Sequence, residues 1–155
     1  MVIRPYRPRT DRNEIIRLIR TELIPLSHTV KPRDAKIIRE IPKRLEQGVT
    51  FVASKSKSSL PLGFVQVLKK DQALLINMLA VDRQQQGRQL GSTLMRTAEA
   101  YGLSKECRHA TVFVDEGNDR AMRFYARLGY GTAGYLQQLR CYEMRKQLVD
   151  PLIPV

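Results

Sequence analysis

Apolar positions recur along this chain with two periods, one close to 3.6 and one close to 2. Residues 2–6 read as a first strand, and Pro5 places it at an edge or a strand end. Asp11 followed by Glu14 has the spacing of a capping box. It opens a helix carrying Ile15, Ile16, Ile19 and Leu23, which Pro25 ends. A second helical stretch covers 32–47, with Ile37, Ile41 and Leu45 four apart. Pro42 lies inside it and crowds the carbonyl of Ile38, so a kink or break is expected there, and Gly48 is expected as the C-cap. Strand-like runs follow at 49–54, 62–68 and 73–81. The stretch SKSKSS at 54–59 reads as a solvated hairpin loop between the first two. The run 73–81 is apolar almost throughout, which suits a central strand covered on both faces. A long helix is expected over about 87–103, with Leu90, Leu94, Ala98 and Tyr101 on one face. Then come a strand at 110–114, a short helix at 118–128 and two strands within 130–148. This order predicts a single α/β domain built around a mixed sheet.

Composition narrows the picture. A chain of 155 residues, 43% hydrophobic and 27% charged, fits one globular domain. Its longest apolar runs, at 73–76 and 78–81, are far shorter than the roughly 20 residues of a membrane-spanning helix. The first ten residues hold Arg4, Arg7 and Arg9, and no apolar stretch of a signal peptide follows. The expectation is a cytoplasmic protein with no membrane partner. Cys107 and Cys141 have neither Cys-x-x-Cys spacing nor a histidine at zinc-ligand distance. They are read as free thiols filling apolar space, with no metal site.

Charge is the strongest compositional signal. Twenty-seven basic residues against 15 acidic give +12, and arginine (18) outnumbers lysine (9). Arginine suits bidentate recognition of phosphate or carboxylate. The surplus fits an anionic cofactor, an acidic substrate, nucleic acid or plain solubility. No nucleic-acid motif accompanies it, so nucleic acid is the weakest of these.

Two segments carry candidate chemistry. In 74–95, LLINMLAVDRQQQGRQLGSTLM, a buried strand turns into an amphipathic helix. The start of such a helix presents unpaired N–H groups and the positive end of its dipole. It binds phosphate if the backbone can come close, which Gly87 and Gly91 permit. It is neither a P-loop nor a dinucleotide fingerprint, and the same glycines also fit close helix–sheet packing. In 118–131, NDRAMRFYARLGYG, Asn118 is a suitable N-cap, Ala121, Phe124 and Leu128 form an inward stripe, and Gly129 fits a left-handed C-cap. Tyr125 stands beside the stripe with a phenol able to donate one hydrogen bond.

Together, in this order and separation, the two segments resemble the GCN5-related N-acetyltransferase (GNAT) family. The family's turn reads Q/R-x-x-G-x-G/A, and Gln84, Gly87 and Gln89 occupy its positions, with Gly91 two residues on. Gln89 departs from the usual small residue. The later motif, N-x-x-A-x-x-F-Y-x-x-x-G-F/Y, matches Asn118, Ala121, Phe124, Tyr125, Gly129 and Tyr130. The resemblance implies a mixed, mostly antiparallel sheet flanked by helices, acetyl-CoA as co-substrate and an amine as acceptor. It implies that the backbone of Leu79, Ala80 and Val81 pairs with the pantetheine arm, in a strand that splays from its neighbour. It also implies that the turn from Gln86 through Gly87, Arg88, Gln89 and Gly91 to Ser92 holds the pyrophosphate. Asn118 matches a residue that bonds the pantetheine arm, and Tyr125 matches the general acid. Asn77 stands where many members place a glutamate base, and an amide cannot take that proton. Glu22, His28, Glu116, Glu143 and a water relay are the other candidates for the base.

The leading expectation is therefore an acetyl-CoA-dependent N-acetyltransferase acting on a primary amine, free or on a protein such as a ribosomal one. The alternative is a non-catalytic acetyl-CoA sensor, to which Asn77 and Gln89 both conform. The apolar tail 148–155 suggests a homodimer contact or a cover for the chain's own sheet.

Overall fold

The computed structural model describes residues 1–26 and 35–149. Along the chain it runs β1 (Val2–Pro5), α1 (Pro8–Leu18), α2 (Ala35–Glu46), β2 (Val49–Ser54), β3 (Pro61–Lys70), β4 (Ala73–Val81), α3 (Leu90–Ser104), β5 (His109–Asp115), α4 (Asp119–Arg127), β6 (Gly131–Leu136) and β7 (Cys141–Gln147). All seven strands join one sheet in the order β1-β2-β3-β4-β5-β7-β6. Among the described residues only β4 and β5 pair in parallel; every other neighbour there is antiparallel. The expected α/β architecture is what the chain adopts. Strands 49–54 and 73–81 fall where their patterns predict.

Apolar burial divides between the two faces of the sheet. On one face Ile15, Leu18, Ile19, Ile41 and Leu45, from α1, α2 and the turn after α1, close over Val52, Phe64 and Ala80. On the other, Leu94, Met95 and Ala98 of α3 and Tyr125 of α4 close over Val65, Val67, Leu74, Ile76, Val112 and Val114. Cys107 and Cys141 are buried free thiols, as read from their spacing.

The ends and interruptions of the helices differ from expectation. Helix α1 begins at Pro8, earlier than Asp11, because proline's fixed φ suits the first turn of a helix. The Asp11 carboxylate lies within that helix, where it accepts the Arg7 N–H at 2.8 Å. Beyond Leu18 the helix widens into a π turn, Ile19–Leu23, then tightens into a 3-10 turn, Ile24–Leu26, that contains Pro25. Helix α2 continues through Pro42 without a break. Burial of Ile41 and Leu45 on the sheet offsets the missing backbone donor. The expected start of this helix, at 32–34, lies outside the described residues, as do His28 and the tail from 150 onward. Gly48 is not a left-handed cap. A Cβ there would stand 2.2 Å from the Val67 carbonyl oxygen, so glycine is needed for the close approach of β3. Among the described residues no helix is long and apolar enough to cross a membrane.

Candidate active site

The site begins where the sheet opens. The parallel ladder of β4 and β5 runs from Ala73–His109 to Ile76–Val112 and stops there. Beyond it β4 stays on β3, with Leu79, Ala80 and Val81 opposite Val65, Phe64 and Gly63. The two central strands therefore splay, and the edge of β4 that faces β5 has lost its ladder from Asn77 onward. The change coincides with a bulge. Gln66 pairs with Met78 but Val67 with Ile76, so Asn77 is the extra residue. A cleft of about 1300 Å³ fills the opening, with Leu79, Ala80 and Val81 on one wall and Val112, Val114 and Asp115 on the other.

The turn after β4 closes one end of the cleft. Asp82 caps a 3-10 turn, Arg83–Gln85, by accepting the Gln84 N–H at 2.9 Å. Its carboxylate also takes Arg17 of α1 at 2.5 Å, and this bond chiefly holds it below the usual carboxylate range. Gln86 donates through Nε2 to the Val81 carbonyl at 3.1 Å. Gly87 follows at φ +85°, and a Cβ there would meet no protein atom within 4 Å. The N-cap of α3 is Gln89, held in the left-handed region at φ 61° with no side-chain capping bond. Its side chain is exposed and its carbonyl accepts the Thr93 N–H at 3.1 Å. Helix α3 thus begins three residues after Gly87 and without an acidic residue in its first turn, a start suited to an anion. The long helix expected from 87 starts at Leu90 because residues 87–89 form this turn. Gly91 lines the cleft and also serves packing. A Cβ on it would stand 3.2 Å from the Phe124 ring, so it lets α3 and α4 pack closely.

Helix α4 supplies the remaining wall. Asn118 caps it by accepting the Ala121 N–H at 3.2 Å. Its end is a Schellman motif, with Tyr130 N–H on the Tyr125 carbonyl and Gly129 N–H on that of Ala126, both at 3.0 Å. Gly129 has the left-handed φ of +98° that its position predicts. Tyr125 is 8% exposed and borders the cleft, and its hydroxyl has no hydrogen-bond partner among the described residues. Burial raises the phenol's pKa above its ordinary value, so it stays protonated at neutral pH.

Eleven of the twelve site residues expected from sequence line this one cleft: Asn77, Leu79, Ala80, Val81, Gln86, Gly87, Gln89, Gly91, Ser92, Asn118 and Tyr125. Arg88 is absent from its walls, and its guanidinium donates to Gln85 Oε1 at 3.2 Å. Of the candidate bases, Glu22 lines the cleft from the π turn. Its side chain is 13% exposed, and Arg83 approaches it at 3.7 Å. Glu116 and Glu143 are not among the lining residues; Glu116 accepts from Tyr135 and Glu143 from Arg145. The sequence reading missed Arg44, Arg83, Arg96, Arg120 and Arg127, which also border the cleft. Their signal was the arginine surplus, whose location no local pattern fixes. Among the described residues, no cluster of side chains suited to a metal ion is found.

The sequence model of the acetyltransferase (GNAT) family matches residues 13–130. The chain belongs to this family. No curated protein matches the sequence. Solved structures supply neighbours that share the GNAT fold. A nourseothricin acetyltransferase is 22% identical over 66% of this chain and 66% of its own, with a TM-score of 0.62. Ard1 from Thermoplasma volcanium is 21% identical over 96% of this chain and 98% of its own, with a TM-score of 0.73. An aminoglycoside 6'-N-acetyltransferase complexed with coenzyme A is 14% identical over 97% and 98%, with a TM-score of 0.77. This GNAT chain thus keeps the fold along nearly its whole length, and its cleft lies at the splay of the two central strands.

Proposed function

We propose that the protein transfers an acetyl group directly from acetyl-CoA to a primary amine. The observation that carries this reading is the single cleft that joins the released edge of β4, the uncapped start of α3 and the Tyr125 hydroxyl. A pantetheine arm is an extended chain of amides and suits the hydrogen-bonding edge of a strand that has lost its neighbour. A pyrophosphate suits the Gly87 turn and the first N–H groups of α3. The lining arginines add positive charge along the same path.

Direct transfer needs a neutral amine, a polarised thioester carbonyl and a proton for the departing thiolate. Backbone N–H groups of β4, along the edge that has left β5, are the donors we assign to the carbonyl. The Tyr125 phenol has a free proton at neutral pH and is the group we assign to the thiolate. Asn77 cannot accept a proton. Glu22 lines the cleft from the π turn and is the carboxylate we assign as candidate base. It, or water leading to solvent, takes the amine's proton.

The experiment is a panel of primary amines, followed by release of free CoA thiol, with acetyl-CoA binding measured in parallel by calorimetry. Amine-dependent thiol release and N-acetylated product are expected. Tight acetyl-CoA binding without release from any amine would make the chain a sensor of acetyl-CoA instead.

A further inference from the structure

Gln66 is a wholly buried amide in the middle of an apolar strand. Its Nε2 donates to the Arg44 carbonyl in the last turn of α2 at 2.5 Å. Its Oε1 accepts from Asn77 Nδ2 at 2.6 Å. The direction of this relay is forced. A backbone carbonyl only accepts, so the end of Gln66 that faces Arg44 must be the NH₂. The end that faces Asn77 is then an oxygen, and Asn77 must turn its own NH₂ inward. Its Oδ1 is left pointing away from Gln66, without a partner among the described residues, on an exposed bulge residue that lines the cleft.

From this geometry, and resting on the acetyltransferase reading, we infer that Gln66 is a positioning residue for the acceptor: it locks Asn77 so that its oxygen accepts an N–H of the incoming amine. The bulge brings Asn77 out of the ladder just where β4 and β5 part. At this point the site recognises a hydrogen-bond donor, which an amine or an ammonium group supplies. The relay also ties the wall formed by α2, through Arg44, to the strand that holds the donor. An unlocked amide would rotate and offer its NH₂ instead, a mismatch for an N–H.

The test is a double-mutant cycle. The variants are Asn77→Ala, Gln66→Met and the pair, assayed with the fastest amine from a panel of n-hexylamine, 2-phenylethylamine, lysine amide and spermidine. Each single substitution is expected to raise the KM of the amine about tenfold, the size of one hydrogen bond to a charged group. The pair should cost no more than either single change. Acetyl-CoA affinity should stay within about threefold throughout. Additive losses, an unmoved amine KM or a parallel fall in acetyl-CoA affinity would overturn the role of Gln66 and leave the acetyltransferase reading intact. No thiol release from any of the amines would instead overturn that reading and this one with it. A second measurement needs no buried substitution. In the wild-type protein the Asn77 side-chain NH₂ signals, identified by their loss in Asn77→Ala, should exchange with solvent more slowly than those of an exposed asparagine. Exchange at the exposed rate would overturn the lock.

Discussion

The rings of Tyr125 and Tyr130 meet edge to face, 5.7 Å between centroids. The contact follows from the Schellman ending of α4, which brings the residue after Gly129 back over the last full turn. Tyr130 is fixed in turn by donating to Glu99 at 2.8 Å, and Lys146 donates to the other oxygen of the same carboxylate at 2.8 Å. Phe124 flanks Tyr125 on another side, at 5.0 Å and a steep interplanar angle. The ring of Tyr125 is thus held by packing alone, and its hydroxyl is spare for chemistry. Tyr125→Phe should therefore leave fold and acetyl-CoA affinity nearly unchanged, while the single-turnover rate falls about 10²-fold, as for loss of a general acid. Rapid-quench assays beside calorimetry measure both quantities. A weakened affinity with an unchanged chemical step would make the tyrosine a binding residue.

The turn between β4 and α3 separates two effects of a left-handed residue. Gly87 and Gln89 both sit at positive φ, but only one of them is glycine. Space around Gly87 is open in the protein and is where the ligand's pyrophosphate is proposed to lie. Gly87→Val should lower acetyl-CoA affinity at least tenfold and cost about 1–2 kcal/mol of stability, because a branched side chain resists the left-handed region. Gln89→Gly should relieve the same kind of strain and raise the melting temperature, with affinity unchanged. Calorimetric titration and thermal melts of the two variants provide the check. An unaltered affinity in folded Gly87→Val would remove the pyrophosphate from this turn.

Much of this site was legible in the residues because its parts are local. Gly87, Gly129 and the Asn118 cap act within one turn of chain, so spacing alone locates them. Two other glycines, Gly48, which is not the C-cap expected, and Gly91, depend on distant partners. Gly48 answers to the Val67 carbonyl and Gly91 to the Phe124 ring, neither of which any window around the glycine contains. Gln66 was visible only as a polar interruption between Val65 and Val67, and its meaning required both the bulge at Asn77 and the end of α2. The arginines around the cleft come from α2, α3, α4 and the turn after β4, so their convergence is a property of topology. Helix α2 ran on through Pro42 because buried Ile41 and Leu45 outweighed one lost hydrogen bond.

Helix α1 is held to the edge of the sheet by charge as well as by packing. Arg4 of β1 and Asp11 of α1 form a buried two-pronged ion pair, at 2.7 and 2.9 Å. Arg4 also donates to the Ser59 carbonyl at 2.9 Å, which ties in the loop between β2 and β3. Burial alone would raise the Asp11 pKa. The hydrogen bonds from Arg4 and the Arg7 N–H, with the charge of both arginines, outweigh it and leave the pKa below its ordinary value. A carboxyl whose pKa is depressed by folding stabilises the native state above its unfolded value, near 3.9, and loses that contribution as pH falls through the folded value. Asp11→Asn leaves the Arg4 guanidinium buried without a counter-charge, so it should cost about 3–5 kcal/mol at pH 7. The gap between the wild type and this variant should stay constant from neutral pH down to about 4 and narrow below it. Urea titrations at a series of pH values measure that gap directly. A gap that widened on acidification, or one of a few tenths of a kcal/mol at pH 7, would show that the pair adds nothing beyond the packing around it.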